Sequence, residues 1–167
     1  MYQKYNSSND FVLNPAVPGK TTTPICADET SCDWEKVTLC AFKAGDNDLD
    51  VSVKYLDCMD SNKLPLFYDP SIPQKCAEEQ SLPWNAISKC FNGPMGDALL
   101  QEAGNVTVSA VGAGSFTLPT VLVDGKVVCS GEKCDFEAIA SSLDTSKAPK
   151  VSRMLSNVTV SYFFASK

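Results

Sequence analysis

The sequence predicts a disulfide-rich α/β domain, and three observations carry that prediction. First, Thr120-Val121-Leu122-Val123 and Lys126-Val127-Val128 are β-branched, apolar runs joined by Asp124-Gly125, the signature of a tight hairpin. Pro119 leads the first run, where a missing N–H does no harm to the ladder. Second, segments of helical period stand on both sides of that hairpin. Third, the chain holds 8 cysteines, Cys26, Cys32, Cys40, Cys58, Cys76, Cys90, Cys129 and Cys134, and no two of them form a Cys-x-x-Cys pair. Zinc ribbons and dithiol redox centres both rely on that close spacing, so disulfides formed in an oxidising compartment are the better account.

Length and charge narrow the function classes. At 167 residues one domain is expected, burying roughly 70% of its unfolded surface. An apolar share of 44% with 20% charged residues is globular composition. Lys and Arg number 14 against 20 Asp and Glu, a net charge of −6, which argues against nucleic acid as a partner. Histidine is absent, excluding a Ser-His-Asp triad, a Cys-His dyad and any histidine-containing metal site. No metal and no cofactor is expected. Sequons at Asn6, Asn105 and Asn157 make these the candidate glycosylation sites and agree with a secretory route. Residues 1–25 contain no apolar core of a signal peptide, so the reading is of a mature or processed piece of something longer. No stretch approaches the roughly 20 apolar residues of a membrane span.

Taken in order, residues 1–25 read as an extended arm broken by Pro15, Pro18, Gly19 and Pro24, with a short strand near Phe11-Val12-Leu13. A helix is expected through Trp34, Val37 and Ala41, capped by Ser31 or Asp33 and carrying Glu35 in its first turn. Gly45-Asp46-Asn47-Asp48 breaks it. The acidic run Asp46, Asp48, Asp50 lacks the glycine and terminal glutamate of a calcium loop and reads as a solvated turn. Leu49 to Leu56 alternates apolar and polar residues, predicting a half-buried strand, with Cys58 on the loop beyond its end.

Pro65, Pro70, Pro73 and Pro83 interrupt the next stretch, leaving one or two helical turns at Gln74 to Glu79. A short helix is expected from Trp84 to Cys90, stopping at Gly93-Pro94. Another is expected from Met95 to Gly104, with Met95, Leu99, Leu100 and Ala103 facing inward and Gly104 as the stop. After the hairpin, Cys129 and Cys134 are spaced for a local structural bridge, too wide for a dithiol catalyst. Phe136, Ile139, Ala140 and Leu143 recur at helical spacing, 144–156 reads as a linker, and Val158 to Phe164 as one more strand.

This order of elements resembles the gamma-interferon-inducible lysosomal thiol reductase family over roughly residues 26–143. That family's signature is Cys-Gln-His-Gly-x-x-Glu-Cys-x-x-Asn-x-x-x-x-Cys, and its counterpart here runs from Cys26 through Cys32 to Cys40. The spacing of the last two cysteines is kept, the first gap is one residue short, and the Gln, His, Gly, Glu and Asn are absent. Tyr55-Leu56-Asp57-Cys58-Met59 resembles the family's strand ending in Cys-Met, and Cys76 and Cys90 bracket its paired helices. Leu118-Pro119-Thr120-Val121-Leu122-Val123-Asp124-Gly125-Lys126 is similar to its proline strand and Asn-Gly-Lys turn.

The resemblance implies a thioredoxin-like mixed sheet with flanking helices over 26–143, with Leu118 and Pro119 as the substrate-groove residues. The family's Cys-x-x-Cys unit precedes its signature, and residues 1–25 hold no cysteine. Residues 157–167, by contrast, resemble the family's first strand, the one that leads into that motif. Two explanations compete: a processed fragment of a tandem array, or a permuted domain whose last strand fills the first strand's slot. Under both, no residue is assigned a catalytic role, because exchange needs an attacking thiolate and a resolving partner.

The expected function is therefore a non-catalytic binding or structural module of the secretory pathway, lysosomal or extracellular or in another oxidising lumen, on a protein partner or polypeptide substrate. Two alternatives stand beside it. One is an active thiol-disulfide oxidoreductase using Cys26/Cys32 or Cys129/Cys134, or taking its dithiol motif from another segment. The other is a lumenal or extracellular subunit of a larger complex.

Overall fold

A computed structural model describes residues 10–15, 19–20, 23–24, 32–62, 68–111, 120–123, 126–131, 135 and 157–162. Helices dominate them: α1 (Asp33–Ala44), α2 (Leu49–Ser61), α3 (Ser71–Glu79), α4 (Trp84–Phe91) and α5 (Pro94–Val111). The strands are β1 (Asp10–Pro15), β2 (Gly19–Lys20), β3 (Thr23–Pro24), β4 (Thr120–Val123), β5 (Lys126–Ser130) and β6 (Asn157–Tyr162).

The first helix forms where its apolar period places it. Trp34, Val37, Thr38, Ala41 and Phe42 are all buried and recur at i, i+3, i+4, i+7 and i+8. The hydroxyl of Thr38 donates to the carbonyl of Trp34 at 2.8 Å, which satisfies a polar group inside the apolar stripe. The cap differs from expectation. Cys32 precedes the helix in the left-handed region at φ 56°, with no side-chain capping bond, and Asp33 is already the first helical residue.

The second helix corrects the reading of Leu49 to Leu56 as a strand. Leu49, Val51, Val53 and Tyr55 alternate, yet the buried residues are Ser52, Tyr55, Leu56 and Met59, at i, i+3, i+4 and i+7. The start is set by Asp48, whose carboxylate accepts from the N–H of Val51 at 3.0 Å. Cys58 consequently lies inside a helix rather than on a loop.

The later helices depart less. α3 begins at Ser71, three residues before Gln74, because Asp69 accepts from the N–H and hydroxyl of Ser71 at 2.9 and 2.7 Å and gathers the first turn. α5 passes straight through Gly104 to Val111, so the expected stop is overridden; Thr107 continues the ladder, its hydroxyl bonded to the carbonyl of Ala103 at 3.0 Å. Met95 is 53% exposed, against the inward placement expected of it, while Leu100 and Ala103 are buried as expected. Met95 sits in the first turn of α5, next to the buried Gly96 that makes the close approach there.

The hairpin strands β4 and β5 pair antiparallel, Val123 opposite Lys126 and Thr120 opposite Ser130, with a bulge between Val121 and Leu122. The strand expected at the far end of the sequence forms as β6, and its position is central. The four-stranded sheet runs β1-β6-β4-β5. β6 is parallel to β1, Phe11 opposite Val158, and antiparallel to β4, Val121 opposite Val160. The sheet is thus mixed, as expected. β2 and β3 make a separate two-stranded ribbon.

The main core lies between the helices, where Val37, Cys40, Tyr55, Met59, Cys76 and Ile87 are essentially inaccessible to solvent. α5 joins the two layers, contacting α1 and α4 on one side and β1, β2, β3 and β5 on the other. Outside the described residues fall Leu118, Pro119, the Asp124-Gly125 turn, the helix expected over Phe136 to Leu143 and the 144–156 linker.

Candidate functional site

The cysteine frame is built by helix pairs. Cys40 on α1 is bonded to Cys90 on α4, with Cα atoms 5.8 Å apart, and Cys58 on α2 to Cys76 on α3, with Cα atoms 5.6 Å apart. Cys32 and Cys129 each also take part in a disulfide, and no described cysteine is free. Cys26 and Cys134 lie outside the described residues. Cross-links of this kind are compatible with an oxidising compartment.

The expected groove residues, Leu118 and Pro119, also lie outside the described residues, immediately before β4. The strand itself is firmly held. Thr120 is buried, its hydroxyl lies 3.1 Å from that of Ser130, and β4 is paired on both sides. Of the glycosylation candidates, Asn6 lies outside the described residues and Asn157 is the first residue of β6. Asn105 is exposed on α5 and accepts from the side-chain amide of Gln101 at 3.1 Å. Its sequon partner Thr107 is only 2% exposed.

Beside the Cys58–Cys76 bridge lies an open polar cleft of about 480 Å³. α2 contributes Lys54, Asp57, Cys58 and Ser61; α3 contributes Lys75 and Glu79; Asn62 and Gln80, the residues that end the two helices, complete it. Asn62 ties the cleft to the bridge. Its side-chain amide donates to the carbonyl of Cys58 at 2.7 Å and lies 3.7 Å from the Cys58 sulfur and 3.8 Å from that of Cys76. Lys75 and Glu79 pair at 3.9 Å across one turn of α3. Burial, followed by the neighbouring charge of Asp57, raises the Asp60 carboxyl above the usual range.

Sequence reasoning missed this cleft because it placed Cys58 after a strand. The signal that finds it is Met59, which extends the Ser52, Tyr55, Leu56 stripe by a further helical step that a strand ending at Leu56 leaves unexplained.

A second cluster surrounds Tyr68. Its ring stacks on Phe91 at 5.0 Å and meets Trp34 edge-on at 5.0 Å, while the Lys36 ammonium lies 5.5 Å from the Phe91 centroid and pairs with Asp97. Burial first, then the charges of Asp33 and Asp69, raise the Tyr68 phenol well above its ordinary range, so it stays a neutral packing group. Among the described residues no group of three acidic or cysteine side chains is placed to hold a metal ion, and no helix is long and apolar enough to cross a membrane.

No family model, no curated protein and no solved structure matches this chain significantly.

Proposed function

We propose that the chain is a thioredoxin-like domain related to the gamma-interferon-inducible lysosomal thiol reductases, permuted in its strand order, which binds polypeptide without catalysing disulfide exchange on it. One observation carries the reading: β6, last in sequence, occupies the sheet's interior between β1 and β4, parallel to the first and antiparallel to the second. A strand, a parallel neighbour and an antiparallel hairpin on the other side make the arrangement that a thioredoxin-type sheet requires. In that arrangement β6 stands where the family's first strand would stand. The permuted explanation is favoured over the tandem fragment for the same reason. Polypeptide is the ligand class because a groove at Leu118 and Pro119 would present backbone to an extended chain.

The cysteines support the non-catalytic reading on polypeptide. The sequence holds no Cys-x-x-Cys, and the described cysteines are bonded in the resting protein. The compartment proposed is lysosomal or extracellular, where such bridges persist.

Insulin reduction by the purified chain with a dithiol as terminal reductant, paired with thiol titration of the native protein, tests the proposal. No turnover above the dithiol alone and no titratable thiol is the expected result. Turnover, or a reactive thiol pair in the folded protein, overturns it.

A further inference from the structure

We propose that the Cys58–Cys76 disulfide is a stoichiometric exchange site for a small zwitterionic thiol of the glutathione type, received in the cleft between α2 and α3. The proposal stands apart from the polypeptide-binding reading, since it uses neither the sheet nor the Pro119 region.

Access separates the two helix-linking bridges. Cys40 and Cys90 are 1% and 7% exposed, so the Cys40–Cys90 bond is sealed in the core. Cys58 is half-buried and lines the cleft, whereas Cys76 is 0% exposed. Of the two bridge residues only Cys58 is open to the cleft, so an incoming thiolate is directed to it. The Asn62 amide stands within reach of both sulfurs, and a thiolate is a far better acceptor than a disulfide sulfur, so this donor favours the opened form. The cleft also presents two ammonium groups, Lys54 and Lys75, and two carboxylates, Asp57 and Glu79. Glutathione carries two carboxylates and one ammonium, so its carboxylates equal the two lysines in number and its ammonium can face Asp57, while Glu79 stays paired with Lys75. The cleft's volume of about 480 Å³ lies within the range of small-molecule sites.

The step balances as a simple exchange. The glutathione thiolate attacks the Cys58 sulfur, a new S–S bond forms there, and the Cys58–Cys76 bond breaks. The electron pair leaves on the Cys76 sulfur, which takes a proton from water. The glutathione sulfur rises to the disulfide level as the Cys76 sulfur falls to the thiol level, while Cys58 stays at the disulfide level, so no further oxidant or reductant is needed. The cross-link between α2 and α3, which closes a separation of 18 residues, is thereby released.

The test incubates the folded chain with rising concentrations of reduced glutathione, alkylates free thiols with iodoacetamide and maps the adducts by peptide mass spectrometry. Glutathione on Cys58 with an alkylated Cys76, at concentrations that leave Cys40–Cys90 closed and the far-UV spectrum native, is the expected result. An adduct on Cys76 instead, opening of Cys40–Cys90 at the same or lower concentration, or no opening before the fold is lost overturns the proposal. A second arm uses the exposed pair Lys54→Gln and Lys75→Gln, with 2-mercaptoethanol as the uncharged control. Opening by glutathione should slow about fivefold relative to the control thiol, and equal rates with both thiols would remove the case for a zwitterionic ligand.

Discussion

Tyr55 is wholly buried among the helices, and its hydroxyl has no hydrogen-bond partner among the described residues. Burial, reinforced by Tyr68, holds its proton well above the ordinary phenol range, so the group is a neutral, unsatisfied polar atom in the core. Leaving such a hydroxyl buried costs on the order of 1–3 kcal/mol. Tyr55→Phe is accordingly expected to raise stability by about 1 kcal/mol, read as a higher urea midpoint at unchanged slope. A comparable loss would mean that the oxygen has a partner. Gly96 shows the opposite constraint. A Cβ there would lie 2.6 Å from the Lys36 Cε and 2.7 Å from the carbonyl oxygen of Cys90. The lysine can swing away, but the carbonyl belongs to a residue tied to α1 by its disulfide. Gly96→Ala should lower stability by about 1–3 kcal/mol in equilibrium unfolding, and an unchanged midpoint would contradict the close packing of α4 on α5.

The five described helices show which parts of the fold can be read from residues alone. α1 and α4 were legible because their apolar residues follow only one period; α1 ends at Gly45, and α4 ends at Phe91, two residues before Gly93, with Pro94 already opening α5. α2 was not, since Leu49 to Leu56 satisfies two periods at once; burial of Ser52 beside Tyr55 and Leu56 decides it, and a buried serine carries no hydropathy signal. α5 ran past Gly104 because Gly104 is itself buried, where tertiary packing outweighs a helix penalty of about 1 kcal/mol. The strands β4, β5 and β6 were legible from β-branched runs, but the parallel pairing of β1 with β6 joins segments at opposite ends of the sequence and leaves no local trace. The bridge partners were equally hidden. Pairing depends on which helices pack, as α1 does on α4 and α2 on α3, and so did the cleft beside Cys58.

At the scale of the whole molecule, a helical layer held by its own packing and two described cross-links is set against a sheet that depends on one distant strand. The helical layer needs none of the residues of β6, while β1 and β4 have β6 as their common neighbour. A chain ending at residue 156 should therefore keep most of its helical far-UV signal and its Cys40–Cys90 and Cys58–Cys76 bridges. Hydrogen exchange in β4 and β1 should rise by at least about tenfold, because their backbone partners are gone. A peptide spanning 157–162 should restore protection when added in trans. Protection that survives the truncation would show that β6 is not the sheet's organising strand.

The register that sets Asp10 opposite Asn157 also dictates a timetable. On the ribosome, β1 emerges before the described helices and β6 after them, so β1 waits through their synthesis before it can pair. During that interval β1 and β4 each offer an open backbone edge, the kind of surface that recruits strands from other nascent chains. A cell making this protein therefore needs something to occupy those edges, and crowding many copies together should favour strand exchange between neighbours over closure within one molecule.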